Sequence, residues 1–180
     1  MIPNTIENYL RFITPVQGDP TYSLLKSHLL IEELLRSYLR KALPNPDALS
    51  GSRLTFAQIL SVARACSVVS PDNWCWVAVS KLNKLRNMLS HETDPKDISK
   101  KIQEYVDYVV SNSGVPLPEP EIKNGATKLG TDSGPAYMVV ELATIGLYYS
   151  FSNLLGFDAL AALDGDSRQL QVGPVDAGAG

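Results

Sequence analysis

A chain of 180 residues with 44% hydrophobic residues is long enough for one ordinary domain and can bury a core, which excludes an intrinsically disordered protein. The formal net charge of −3 excludes a general attraction to nucleic acid, so any RNA or DNA site has to be a local basic patch. Cys66 and Cys75 form no CxxC motif and no metal-ligand cluster, so we expect free thiols, a small buried Cys66, no metal and no other cofactor. The N-terminal residues lack a basic region and an apolar run, and we therefore expect no signal peptide and a cytoplasmic protein.

A short helix and a long helix are predicted at the start of the chain. The short one covers residues 4–13. Asp19 and Pro20 are a typical N-cap and first helical residue, and the helix that they open continues to about Ala42, before Pro44. The apolar face expected for this long helix contains Leu24, Leu25, Leu29, Ile31, Leu34, Leu35, Tyr38 and Leu39.

Three further helix starts follow. Thr55 has the capping-box spacing to Gln58, and Ser70-Pro71 and Asp94-Pro95 are predicted to start the next two helices. Gly114 is the expected stop of the last one. The residues expected to pack are Phe56, Ile59, Leu60 and Ala63 in the first helix, Trp74, Val77, Leu82, Leu85 and Leu89 in the second, and Ile98, Ile102, Tyr105 and Val109 in the third.

The C-terminal third of the chain has a different composition. Prolines and glycines predict a linker over residues 114–134, followed by an apolar helix within 135–163 and a flexible tail over 164–180. The apolar stretch ends at Gly156. It contains Glu141 and lacks flanking basic anchors, so we expect it to pack on the bundle or across a dimer, and membrane insertion is unlikely.

No strand-like alternation and no internal repeat stand out in the sequence. The prediction is an all-α fold, in which residues 1–113 form an antiparallel bundle of about five helices. An extra C-terminal helix follows the Pro/Gly-rich linker.

The end of the helix that contains Trp74 carries the candidate chemistry. Arg86, Asn87 and His91 bring a guanidinium, an amide and an imidazole to one stretch, and the lysines around it are Lys81, Lys84 and Lys96. On an unbroken helix Arg86 and His91 lie about 140° apart, so they converge only if the helix ends near His91. The same residues also suit a plain helix C-terminus, where the macrodipole favours cations.

The segment from Leu85 to His91 resembles the R-x4-6-H signature of the HEPN superfamily, in the form Arg86-Asn87-x3-His91. The order of helices over roughly residues 5–112, with a long early helix beside the one that carries the motif, is similar to HEPN domains. The resemblance implies a metal-independent endoribonuclease that acts as a homodimer, possible toxin or phage-defence roles, and regulation by an antitoxin or other protein. HEPN toxins paired with a nucleotidyltransferase antitoxin often carry a tyrosine two residues after the histidine. Thr93 stands at that position here, which puts that particular regulation in doubt.

The resemblance also implies roles for the residues of the motif. His91 would be the general acid or base, Arg86 would hold the phosphate, and Asn87 would orient the imidazole or a phosphate oxygen. The lysines Lys81, Lys84 and Lys96 would bind RNA. The expected products are a 2′,3′-cyclic phosphate and a 5′-hydroxyl.

Other interpretations stay open. A HEPN-like module without activity, which binds nucleic acid or a protein, fits the same residues, as does a structural or regulatory bundle. His28, four residues before Glu32, is expected to be a satisfied, partly buried histidine. Trp74 and Trp76 are expected in the core or a dimer interface rather than as stacking platforms for bases.

Overall fold

A computed structural model of the chain describes residues 20–91, 98–114 and 135–157. Regular structure within these ranges is helical throughout, which confirms the predicted all-α bundle. The predicted helix over 4–13, the linker from 115, the start at Asp94-Pro95 and the tail lie outside the described residues. The elements are α1 (Pro20–Ala42), a 3₁₀ turn (Pro46–Leu49), α2 (Phe56–Cys66), α3 (Trp74–His91), α4 (Ile98–Ser113) and α5 (Pro135–Leu154).

The helices differ in direction. Helices α3 and α4 are antiparallel, since Lys81 lies over the ring of Tyr108 and Lys101 reaches Met88. Helix α1 runs parallel to α2, because its residues His28 and Tyr38 meet Phe56 and Cys66 respectively. It also runs parallel to α5. The connection after α1, over residues 43–55, allows the chain to return before α2 starts.

One continuous core joins α1, α2, α3, α4 and α5. The predicted packing faces of α2 and α4 are confirmed, and Trp76 is buried while Trp74 packs against the core from its edge. The prediction that Leu25, Leu29 and Val77 belong to packing faces is wrong. These side chains are 38%, 59% and 38% exposed, respectively. No helix packs over their sides of α1 and α3 in the described part of the chain.

Helix starts follow local capping chemistry. The predicted capping box of α2 is confirmed, because the Thr55 hydroxyl accepts from the Gln58 amide and the Gln58 side chain accepts from the Thr55 amide. The predicted start of α3 at Ser70-Pro71 is wrong. Ser70 closes a turn by accepting from the Asn73 amide, and the Asn73 side chain accepts from the Cys75 amide, so α3 begins at Trp74.

The two cysteines have different environments. Cys66 is exposed at the end of α2, so the expectation of a buried Cys66 is wrong, because the last turn of that helix extends past the core. Cys75 is buried, and burial raises the pKa of its thiol to about 12. Cys75 therefore stays a protonated packing group at neutral pH.

Helix α5 packs along α1 through polar as well as apolar contacts. Ser23 donates to Glu141 at 3.0 Å, and the hydroxyls of Ser27 and Thr144 lie 2.7 Å apart. Gly156 ends the helix with φ of 71°, as predicted, and Lys41 donates to its carbonyl oxygen at 2.9 Å. Across the described residues, no helix has the length and apolarity needed to span a membrane.

Candidate functional site

Helix α3 carries a purely cationic set of charged side chains. Lys81, Lys84 and Arg86 lie within it, and its sequence contains no Asp or Glu. Lys84 is exposed, Lys81 lies with its Nζ 5.1 Å from the ring centroid of Tyr108, and α4 brings the Nζ of Lys101 to 3.6 Å from the sulfur of Met88. The described part of α3 thus carries only positive charge, in a protein whose net charge is negative.

Arg86 lies half-buried on this helix, on the side that faces α1. Its Nη1 donates to Oδ1 of the exposed Asn87 at 3.3 Å. Among the described residues no carboxylate pairs with Arg86; the ion pair found there joins Arg36 to Glu32. A partly buried guanidinium usually has an anionic partner, and none of the described residues supplies one for Arg86.

His28 lies beside Arg86 at the contact between α1 and α3. It is 6% exposed, its Nε2 lies 3.1 Å from Oδ1 of Asn83, and its ring lies against Phe56 with centroids 4.1 Å apart. Burial lowers the pKa of His28, with a smaller contribution from the charge of Arg86, and outweighs the opposite effects of Asn83 and the Glu32 carboxylate. The predicted hydrogen bonding of this histidine is confirmed at Nε2, and the side chain is more deeply buried than the partial burial that was expected.

The lowered pKa of His28 makes the stability of the fold depend on pH. As the pH falls below about 6.5, the unfolded chain takes up a proton on His28 before the folded chain does. The free energy of unfolding should therefore decrease as the pH falls through this window towards the lowered pKa. Urea unfolding of the wild type and His28→Gln across the window should show a shallower decrease for the variant.

An exposed position of α4 supplies the control for this measurement. Lys100→Ala should retain the wild-type slope, because His28 still titrates in that variant. Parallel curves for the wild type and His28→Gln would contradict the assignment of the slope to His28.

The helical backbone of α3 includes His91 as its last residue. The Cα positions of Arg86 and His91 are therefore about 140° apart around the helix axis. Because the backbone is helical up to His91, the predicted end of the helix near this residue does not make the two Cα positions converge. The His91 side chain and all of Lys96 lie outside the described residues. The structure thus brings Arg86 beside Asn87. Lys81 and Lys84 lie on other sides of α3, about 140° and about 160° around the helix axis from Arg86.

Asn83 is the member of the site that the sequence analysis missed. It lies on the same side of α3 as Arg86 and Asn87, which follow it by three and four residues. The sequence shows this spacing as a stripe of polar residues along one side of the helix, which could have identified Asn83. The sequence could not identify His28 as the partner of Asn83, since 55 residues separate the two in the chain.

Metal ligation has no basis in the described part of the chain, where no group of three or more His, Cys, Asp or Glu side chains could hold an ion. Comparison of the chain with protein-family models, with curated proteins and with solved structures finds no match. The function is therefore argued from the chemistry of the site.

Proposed function

We propose that the chain is a metal-independent endoribonuclease of HEPN type. The observation that carries the proposal is the half-buried Arg86, which has no carboxylate partner in the described residues and lies on a helix whose charged side chains are all cationic. Such a group has the charge and the fork geometry for a phosphodiester. The resemblance of Arg86-Asn87-x3-His91 to the HEPN signature extends this from anion binding to RNA cleavage.

In this proposal Arg86 acts on the phosphate of the scissile bond. Two N–H groups of the guanidinium donate to the non-bridging oxygens and stabilise the charge that accumulates on the pentacoordinate transition state. Partial burial strengthens this interaction, because the guanidinium is less screened by water than an exposed one. Lys81, Lys84 and Lys96 attract and orient the neighbouring phosphates.

His91 supplies the proton transfer. RNA carries its own nucleophile in the 2′-hydroxyl, and an imidazole with a pKa near neutrality removes that proton or protonates the leaving 5′-oxygen. Asn87 orients the imidazole or a phosphate oxygen. The 2′-oxygen bonds to phosphorus as the P–O5′ bond breaks, which gives a 2′,3′-cyclic phosphate and a 5′-hydroxyl, and no metal ion takes part.

The separation of about 140° between Arg86 and His91 on one helix favours a site completed by two copies of the chain. A homodimer about a two-fold axis places two copies of each residue near one cleft. A toxin or phage-defence role, held in check by an antitoxin or another regulatory protein, is consistent with such a nuclease. Thr93 stands where toxins paired with a nucleotidyltransferase antitoxin often have a tyrosine, so the proposal does not include that form of control.

The same separation also favours a second candidate, a HEPN-like module that binds RNA without cleaving it. Arg86 and the lysines of α3 suffice for phosphate binding without an adjacent imidazole. Binding that weakens with salt, without any cleavage, is the expected behaviour of this alternative.

The test is incubation of the purified chain with mixed single-stranded RNA in EDTA. We expect cleavage at a rate unchanged by the chelator, with 2′,3′-cyclic phosphate and 5′-hydroxyl ends identified by end-labelling and mass spectrometry. The matched control is the cleaved oligonucleotide with a single 2′-deoxy substitution at the cleavage position, which should resist. Cleavage of that control, or products with 5′-phosphate ends, would exclude the proposed mechanism.

A further inference from the structure

A concave site lies at the C-terminal end of α1, away from the candidate nuclease site. It has a volume of about 310 Å³ and is formed by the last turns of α1, the 3₁₀ turn and the segment that leads into α2. This volume lies at the small end of the range for ligand sites. Its apolar wall consists of Leu39, Leu49, Leu54 and Ile59, of which Leu39 and Ile59 are fully buried parts of the core.

The rim of this pocket carries Arg40 and Asp47, and neither makes an ion pair with another described residue. Arg40 donates to the hydroxyl of Ser37 and makes no ion pair there. The carboxylate of Asp47 and the hydroxyl of Ser50 make no hydrogen bond with any described residue. Arg36 also lines the pocket but directs two of its N–H groups to Glu32, at 2.9 and 2.7 Å.

These groups select among ligands. A dense polyanion is disfavoured, since Asp47 presents a negative charge at the same rim as Arg40. A purely apolar ligand would leave Arg40 and Asp47 without partners. A ligand with a flat ring and a phosphate matches the leucine wall, Arg40 and Asp47 together. Its ring lies against the leucines, its phosphate pairs with Arg40, and N–H donors of the ring point to Asp47.

We propose that this pocket binds one nucleoside monophosphate unit, either as a free nucleotide or as part of a single-stranded RNA. The phosphate pairs with Arg40, the base lies on the half-buried Leu49 and Leu54, and Asp47 accepts hydrogen bonds from the base. Guanine fits best, because its ring N–H and exocyclic amine are adjacent donors that match the two oxygens of a carboxylate.

The pocket is close enough to the candidate nuclease site for one RNA strand to reach both. Arg40 is three turns beyond His28 on α1, about 18 Å along the helix axis, which a few nucleotides of an extended strand can span. Placing the nucleotide within a substrate RNA rests on the proposed function. Binding of a free nucleotide does not, so the two ideas can fail separately.

The experiment is calorimetric titration of the full chain with 5′-GMP, inorganic phosphate and a short single-stranded RNA that contains guanine. We expect GMP to bind, Arg40→Ala to weaken that binding about 10- to 100-fold through loss of a charge-assisted hydrogen bond, and inorganic phosphate to bind more weakly than GMP. Lys100→Ala, which removes an exposed charge from α4, should leave GMP binding unchanged. Thermal melts of each variant check the fold.

The outcomes distinguish a nucleotide within an RNA strand from a free nucleotide, and both from failure of the proposal. Competition between the RNA and GMP, with both weakened by Arg40→Ala, assigns the nucleotide to a bound strand. GMP binding that depends on Arg40, without competition by RNA, assigns the pocket to a free nucleotide. GMP that fails to bind, binds no better than phosphate, or binds equally to a folded Arg40→Ala protein overturns the proposal.

Discussion

Arg86→Ala is expected to reduce the rate of RNA cleavage at saturating substrate by at least about 10²-fold, the usual cost of losing a group that stabilises transition-state charge. His91→Ala should cause a loss of about 10²- to 10⁴-fold through missing proton transfer. The two variants should differ in binding. Arg86→Ala should also weaken the affinity for RNA and make it less sensitive to salt, since one phosphate contact is lost, whereas His91→Ala should bind RNA like the wild type.

Arg86→Lys separates charge from geometry. A lysine keeps the positive charge but cannot form the planar pair of donors, so we expect near wild-type RNA binding together with most of the loss in turnover. Lys100→Ala, an exposed change on α4, is the control and should leave turnover unchanged. Single-turnover rates and binding isotherms at several salt concentrations measure both quantities.

Two results would contradict the assignment of the site. Cleavage that persists in purified Arg86→Ala and His91→Ala would place the activity elsewhere or in a contaminant. Salt-dependent binding that requires Arg86, with no cleavage by the wild-type protein, would favour the module that binds RNA without cleaving it.

The sequence predicted those parts of the fold that depend on neighbours in the chain. The boundaries of α1 and the capping box of α2 follow from signals within a few residues, and both are confirmed. Exposure depends on what packs from elsewhere. Leu29 and Val77 have apolar side chains at helical spacing, yet no described helix covers them, so periodicity indicated the residue type but not its burial.

The candidate site likewise has parts that the sequence predicts and parts that only the packing of helices reveals. The stretch with Arg86 and the cationic character of α3 can be seen in the sequence, since both lie within one helix. The contact of His28 with Asn83 depends on how α1 and α3 pack, and the pocket beside Arg40 depends on how the chain returns after α1. Neither has a local signal, because each joins residues from separate helices.

Helix α5 is a full part of the core. The composition of the preceding segment predicted a linker, and the apolar helix after it was expected to pack on the bundle or across a dimer. In the structure Val140, Ala143, Leu147 and Phe151 lie in the same core as α1, α3 and α4, and Lys41 binds the end of α5. Helix α5 therefore contributes to the stability of the bundle that presents Arg86.

Phe151→Ala should accordingly lower the free energy of unfolding by about 3 to 5 kcal/mol, the usual cost of truncating a buried aromatic side chain. Phe151 is 0% exposed and meets the ring of Trp76 edge-on, with centroids 4.9 Å apart, so the substitution leaves a cavity between α5 and α3. Asn153→Ala, at an exposed position of the same helix, should change the free energy by no more than about 0.5 kcal/mol. Urea unfolding followed by circular dichroism measures both. A loss below about 1 kcal/mol for Phe151→Ala would mean that α5 does not share the core, and the support that it gives to α3 would then be absent.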